Sequence, residues 1–149
     1  MYVRYCDGAS FSGDLSDPVT VGDQMIHYRG RRVLDSVLDS LLSAHGLDVG
    51  TNLILAGCSA GGLSVFLHLD YVADYLSTAS LALDVRGVPE CGFFMDLNGI
   101  GGEPSWTPLY QSIAHFTNAT ALGGNLNAAC LDHYDAEEER WHCFMAEYT

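Results

Sequence analysis

The sequence predicts an α/β fold built on a mostly parallel sheet. A helical pattern over residues 32–45 precedes a short apolar strand over residues 51–56, and this helix-then-strand order is typical of parallel sheets. The strand leads into Gly57-Cys58-Ser59-Ala60-Gly61, and an apolar helical pattern follows. With 149 residues, of which 48% are hydrophobic, we expect one domain with a modest core.

The remaining elements are predicted from the spacing of apolar residues and from the glycines and prolines at or near their ends. The first helix has an apolar stripe, with Gly46 as its natural stop, and residues 70–77 extend or succeed the helix after Ser59. Strand-like pieces at residues 83–87 and 92–96 flank Pro89. Residues 106–118 favour a helix that tolerates Pro108 in its first turn. Residues 134–148 favour another, with acidic residues early. The stripe of the first helix consists of Val33, Leu34, Val37, Leu38, Leu41 and Leu42.

The G-x-S-x-G turn between a strand and a helix predicts a nucleophile elbow. In such a turn the Ser59 hydroxyl stands clear of the sheet, at the positive end of the following helix. Glycine at positions 57 and 61 is expected to provide the room that the bend needs. The Ala60 N–H would point at an oxyanion formed there, and we expect Cys58 to be a buried thiol.

Composition excludes several classes of function. The chain has no lysine, so it has no phosphate-binding loop of the Walker type. The uncharged run 53–69 is short for a membrane span and is interrupted by glycine and serine, so we interpret it as a buried strand and helix. A formal charge of −13 argues against a nucleic-acid partner. The basic cluster Arg29, Arg31 and Arg32 is expected to be a solvated helix start, and no motif predicts a cofactor.

Several segments together resemble the pectin acetylesterase family of plants, which extends to the animal carboxylesterase Notum. The first is the stretch over residues 2–14, Tyr-Val-Arg-Tyr-Cys-Asp-Gly-Ala-Ser-Phe-Ser-Gly-Asp. The second is the serine motif at residues 57–64. Gly92-Phe93-Phe94-Met95-Asp96 and the pair Cys130 and Cys143 match further family segments in the same order.

The resemblance implies a serine esterase with a partial α/β-hydrolase fold. Ser59 would be the nucleophile and Ala60 would supply one oxyanion N–H. Plant members of the family deacetylate pectin, and Notum removes a fatty acyl group from a secreted signalling protein. The family's glycine-rich oxyanion loop lies upstream of the matched segments, and its catalytic Asp and His lie downstream. Residues 1–149 are therefore expected to form a single incomplete domain that is inactive, or nearly so, alone.

The resemblance and the short separation favour a disulfide between Cys130 and Cys143, while zinc bound by these cysteines with His133 and His142 is an alternative. Asn118-Ala119-Thr120 is a glycosylation sequon, and the family implies secretion to the cell exterior or cell wall. No signal peptide is visible at Met1; a complete product with this start would stay in the cytosol.

Six histidines are present, but none is expected to be the catalytic base. His68 lies nine residues beyond Ser59 on a helix that runs away from the serine, so we expect it on a surface or in packing. His27 and His45 flank the first helix and are expected to be exposed.

Besides an esterase of acetylated polysaccharide, two functions stay open: a non-catalytic module that binds an acylated sugar or lipid-modified protein, and a remnant of a truncated gene. Oligomeric state stays open.

Overall fold

The structure, a computed structural model, describes residues 1–79, 81–121, 125–146 and 148. Strands β1 (Val19–Val21) and β2 (Gln24–Ile26) form an antiparallel hairpin. Helix α1 (Gly30–Ala44) follows, and Gly46, at φ 76°, allows the left-handed turn after it. A 3-10 helix at Leu47–Val49 leads to the second sheet.

The second sheet positions the candidate site. Strand β3 (Asn52–Cys58) pairs in parallel with β4 (Asp84–Glu90), and helix α2 (Ala60–Thr78) connects them and packs on the sheet. The predicted strand, elbow and helix are therefore confirmed, with α2 as one continuous helix. The first half of α2 packs into one hydrophobic core, and its second half packs into another. The α2 core residues are Leu63 and Leu67 in the first, and Val72 and Leu76 in the second.

Of the two strand pieces predicted on either side of Pro89, the piece at residues 83–87 is confirmed as part of β4, and the piece at residues 92–96 was wrong. Strand β4 runs through Pro89, which pairs with Gly57, whereas residues 92–96 form no strand. Proline lacks an N–H, so within a sheet it is restricted to positions that do not require one, such as those on an edge strand. Within the part of the chain that the structure describes, β4 pairs with β3 alone. The chain then leaves the sheet at Cys91, where φ is 50°.

The C-terminal part also departs from the prediction. Helix α3 (Thr107–Thr117) is confirmed, with a proline in its first turn, but a short helix α4 (Ala128–His133) was missed. The helix predicted over residues 134–148 is instead a 3-10 helix at Glu137–Phe144. Its buried residues recur every three positions, which matches the three residues per turn of a 3-10 helix. These residues are Arg140, Trp141, Cys143 and Phe144.

The expectation for Arg31 was also wrong, because this arginine is buried. Its guanidinium carbon lies 3.2 Å from the centre of the Tyr71 ring, and its Nε lies 3.4 Å from Asp35. Arg32, by contrast, is exposed and pairs with Asp14. The predicted stripe of α1 is only partly buried, with Leu38 in the core. Among the described residues, no helix is both long and apolar enough to cross a membrane.

Candidate active site

Ser59 occupies the bend between β3 and α2. Its backbone has φ 57° and ψ −119°, a conformation that costs a non-glycine residue about 1–3 kcal/mol and is found mainly at functional sites. The side chain is exposed, and its hydroxyl makes no capping hydrogen bond to α2. The bend therefore presents a serine hydroxyl to solvent at the N-terminus of a 19-residue helix.

Glycines make the bend sterically possible, although not quite those predicted. A Cβ on Gly57 would lie 2.3 Å from the Gly61 carbonyl oxygen, so glycine is required at position 57. A Cβ on Gly61, however, would meet no atom within 4 Å, and the prediction for that residue was wrong. The second close approach is at Gly62, where a Cβ would lie 2.4 Å from the Glu90 carbonyl oxygen.

The end of β4 supports the elbow directly. The Ser59 N–H donates to the Glu90 carbonyl oxygen at 2.9 Å. Two residues further on, the backbone of Gly92 runs so close to Gly62 that a Cβ on Gly92 would lie 2.2 Å from the Gly62 carbonyl carbon. The start of α2 and the end of β4 are thus packed backbone against backbone.

Ala60 is the first residue of α2, so its N–H has no acceptor within the helix. This N–H follows the serine directly, which is where an α/β-hydrolase elbow supplies an oxyanion donor. The carbonyl of Ala60 is held from the other side, because it accepts a hydrogen bond from the Ser10 hydroxyl at 2.9 Å.

A buried polar network holds Ser10 in place. Ser10 and Phe11 both have positive φ, at 50° and 61°, and Asp7 accepts the Phe11 N–H at 3.0 Å. Beneath them, His68 Nε2 donates to the Ser10 carbonyl oxygen at 2.8 Å. This network was not predicted from the sequence. Its only signal was that Asp7 and Ser10 belong to the segment at residues 2–14 that carries the family resemblance.

Burial controls the protonation of this network. His68 is 0% exposed, and burial lowers its pKa to about 4, helped by the charge of Arg31 and opposed by the bond to Ser10. Its other ring nitrogen, Nδ1, is buried without a partner. Burial also raises the pKa of Asp7, although backbone N–H groups oppose the shift. His68 is therefore the neutral, buried packing histidine that the sequence allowed for.

Within the described residues, no hydrogen bond links the Ser59 hydroxyl to a histidine or a carboxylate. His68 and His142 bond to backbone carbonyls instead, and the other four histidines are exposed. An unassisted serine hydroxyl is a weak nucleophile near neutral pH, because it needs a positioned base. The site as it stands has a nucleophile position and an N–H donor.

The cysteines divide into one bonded pair and three free thiols. Cys130 and Cys143 are joined by a disulfide, which engages the two sulfurs that the zinc alternative needed. Cys6, Cys58 and Cys91 are free and exposed. The expectation that Cys58 is buried was wrong. Side chains alternate along β3, and Cys58 lies on the exposed face with Ile54, which is 65% exposed.

The glycosylation sequon begins at the C-terminal end of α3. Asn118 ends α3 in a left-handed conformation with φ 57°, and its side chain is exposed, while Thr120 is buried. A cavity of about 490 Å³ lies beside it. The lining residues, which do not include Ser59, are Gln111, Ala114, His115, Asn118, Thr120, Glu137, Glu138 and Trp141.

Comparison with known proteins identifies relatives of the same kind. Pectin acetylesterase 7 of Arabidopsis thaliana is 41% identical over 99% of this chain and 34% of its own length. The palmitoleoyl-protein carboxylesterase Notum of Drosophila melanogaster is 35% identical over 63% of this chain and 14% of its own length. The chain thus spans about a third, or less, of the length of such relatives.

The fold agrees with these similarities. The crystal structure of the Wnt deacylase Notum from Drosophila superposes with a TM-score of 0.77 and 28% identity, covering 95% of this chain and 40% of that one. The architecture described above is therefore part of an α/β-hydrolase-like fold. The pectinacetylesterase family model matches residues 1–149, the whole chain. The chain belongs to the pectin acetylesterase family.

Proposed function

We propose that this chain carries the nucleophile of a carboxylic-ester hydrolase that removes acetyl groups from pectin or another acetylated polysaccharide. The observation that carries the proposal is the exposed Ser59 in its strained bend. Pectin acetylesterase 7 of Arabidopsis thaliana is 41% identical over 99% of the chain, whereas notum1a of Danio rerio is 30% identical over 97%. The higher identity favours an acetyl ester over a protein-bound lipid.

In the proposed reaction the Ser59 hydroxyl oxygen attacks the ester carbonyl carbon. The carbonyl oxygen becomes an oxyanion, which the Ala60 N–H stabilises from the N-terminus of α2. The tetrahedral intermediate expels the sugar hydroxyl and leaves an acyl group on Ser59. Water then attacks this acyl-enzyme and releases acetate. Both steps require a base to take a proton and an acid to return it.

These 149 residues alone are proposed to be inactive, or nearly so. In the described part of the chain no acid or base contacts the Ser59 hydroxyl, and removal of triad partners leaves only residual catalysis. Purified chain should therefore hydrolyse p-nitrophenyl acetate no faster than its Ser59→Ala variant. Turnover that depends on Ser59 would overturn the proposed inactivity without overturning the role of the serine.

The role of Ser59 is tested by covalent labelling with a fluorophosphonate probe. We expect slow labelling of the chain that disappears in Ser59→Ala. Ser43→Ala is the matched control, because Ser43 is exposed and its hydroxyl bonds only to the backbone of its own helix. Equal labelling of wild type and Ser59→Ala would reject Ser59 as the nucleophile.

A non-catalytic module is the alternative, and it predicts a different result. Such a module would bind acetylated pectin, and Ser59→Ala would leave that binding intact while no probe labelled the wild type. Calorimetric titration of acetylated against deacetylated pectin distinguishes the two. Binding without any serine labelling would favour the module over the hydrolase.

The protein is also proposed to pass through the secretory pathway. The Cys130–Cys143 disulfide suits an oxidising compartment, and the exposed Asn118 is accessible to glycosylation. Expression with a secretion signal in a eukaryotic host should give a product whose mass falls on treatment with an N-glycosidase. Asn118→Gln should abolish that change, whereas Asn98→Gln, which alters no sequon, should not. A glycosidase-resistant wild type would reject glycosylation.

A further inference from the structure

Two free cysteines lie at adjacent strand ends beside the elbow. Cys58 is the last residue of β3 and directly precedes Ser59, while Cys91 directly follows β4. The parallel register pairs Cys58 with Glu90, and the Ser59 N–H bonds to the Glu90 carbonyl at 2.9 Å. Cys91 is therefore offset by one residue from the strand partner of Cys58.

This offset is compatible with a disulfide. Strands in a sheet lie about 4.8 Å apart and rise about 3.3 Å per residue, so such a pair has Cα atoms about 6 Å apart. Disulfides span Cα separations of about 4.4–6.8 Å. Regular alternation would turn Cys91 to the opposite face, but its φ of 50° departs from strand geometry.

The Cys58 and Cys91 thiols interact with each other, and both are accessible to solvent. Desolvation, followed by the charge and hydrogen bond of the Cys91 thiol, raises the pKa of Cys58. Both residues are exposed, so a reagent in solution can reach them. A raised pKa favours the protonated Cys58 thiol, which slows its attack on a disulfide in solution.

We propose that Cys58 and Cys91 form a reversible disulfide that ties the end of β3 to the end of β4 directly before Ser59. The oxidant is a low-molecular-weight disulfide such as oxidised glutathione. One cysteine thiolate attacks it, forms a mixed disulfide and releases one glutathione thiol. The second cysteine attacks the protein sulfur of that mixed disulfide and releases the other glutathione. Two protein thiols are oxidised, and their two protons end on the two glutathione thiols.

The test counts thiols and does not depend on esterase activity, so its failure is distinguishable from failure of the proposed function. After treatment with oxidised glutathione all three thiols should be consumed but only one glutathione added, because the exposed Cys6 takes up one adduct while Cys58 and Cys91 lose two hydrogen atoms and carry none. Protease digestion without reductant should yield a peptide pair that contains residues 58 and 91. A dithiol reductant should restore all three thiols.

Matched variants identify the pair. Cys6→Ser removes the third exposed thiol and should leave the oxidation unchanged. Cys58→Ser and Cys91→Ser should each block it and leave a glutathione adduct on the remaining partner; two variants are used so that misfolding of one does not decide the result. Stable adducts on both cysteines of the wild type, a bridge to Cys6, or a disulfide between two chains would overturn the proposal.

Discussion

The close approach of Gly62 to the end of β4 leads to a sharp prediction for two neighbouring glycines. In Gly62→Ala the new Cβ would lie 2.4 Å from the Glu90 oxygen and 2.8 Å from the Gly92 Cα. These are backbone atoms, so no side-chain rotation relieves the overlap. In Gly61→Ala the new Cβ would meet nothing within 4 Å.

The magnitudes follow from these contacts. Relief of the overlap at Gly62 requires β4 to move by several tenths of an ångström, and overpacking of this kind costs about 1–3 kcal/mol. The movement also weakens the bond from Ser59 to Glu90, which is worth about 1 kcal/mol. Alanine in a helix regains about 0.5–1 kcal/mol at either position. Gly62→Ala should therefore be less stable than Gly61→Ala by about 2–4 kcal/mol.

Urea unfolding of both variants, followed by circular dichroism near neutral pH, measures this difference. We expect Gly61→Ala to unfold at or above the wild-type midpoint and Gly62→Ala well below it, with similar slopes. If the two alanines had equal effects, the packing of Gly62 on Glu90 would not restrain the elbow, and the steric reasoning would be refuted.

Three further predictions concern the interior. Because His68 has a pKa of about 4 when folded and about 6.5 when unfolded, its stabilising contribution is complete above pH 6.5. It falls by up to about 3 kcal/mol as the pH drops towards 4. Urea unfolding of His68→Gln at a series of pH values should therefore show a flatter stability profile than that of the wild type, and parallel profiles would contradict this. Arg31→Ala, which removes a buried guanidinium from the Tyr71 ring and from the partly exposed Asp35, should cost about 2–3 kcal/mol, against less than about 1 kcal/mol for the exposed Arg32→Ala; equal losses would contradict this. Replacing both cysteines of the Cys130–Cys143 disulfide with alanine should lower the free energy of unfolding by about 3 kcal/mol, and an unchanged urea midpoint would contradict that estimate.

Elements with a clear repeat of apolar residues and a glycine or proline at one end were predicted correctly from the sequence. The β3 strand, the elbow, α2 and α3 each combine a clear apolar period with glycine or proline at an end. The course of β4 through Pro89 could not be predicted, since it depends on pairing with β3 more than 30 positions earlier. The 3-10 helix near the C-terminus follows from burial at every third residue, and this burial depends on which core residues surround it.

The geometry around Ser59 was predictable where it depends on consecutive residues and not where it depends on tertiary contacts. The motif alone predicts that Ser59 and Ala60 lie at the bend between β3 and α2. The requirement for Gly62 arises from the backbone of Glu90, and the burial of His68 arises from the loop that contains Ser10. No local pattern encodes either contact, because each joins segments at least 28 residues apart.

The strained bend at Ser59 is held from two sides, and these supports should act together. The backbone strain costs about 1–3 kcal/mol, and each restraint is a single contact worth about 1 kcal/mol: Glu90 holds one side, and the Ser10 hydroxyl bonds to the Ala60 carbonyl on the other. If either alone kept the bend in place, removing both would allow it to relax and release strain. Ser10→Ala combined with Gly62→Ala should therefore destabilise the chain by less than the sum of the single changes, by about 0.5 kcal/mol or more. A double-mutant cycle in urea measures this coupling, and losses that add within about 0.3 kcal/mol would mean that the two sides support the elbow independently.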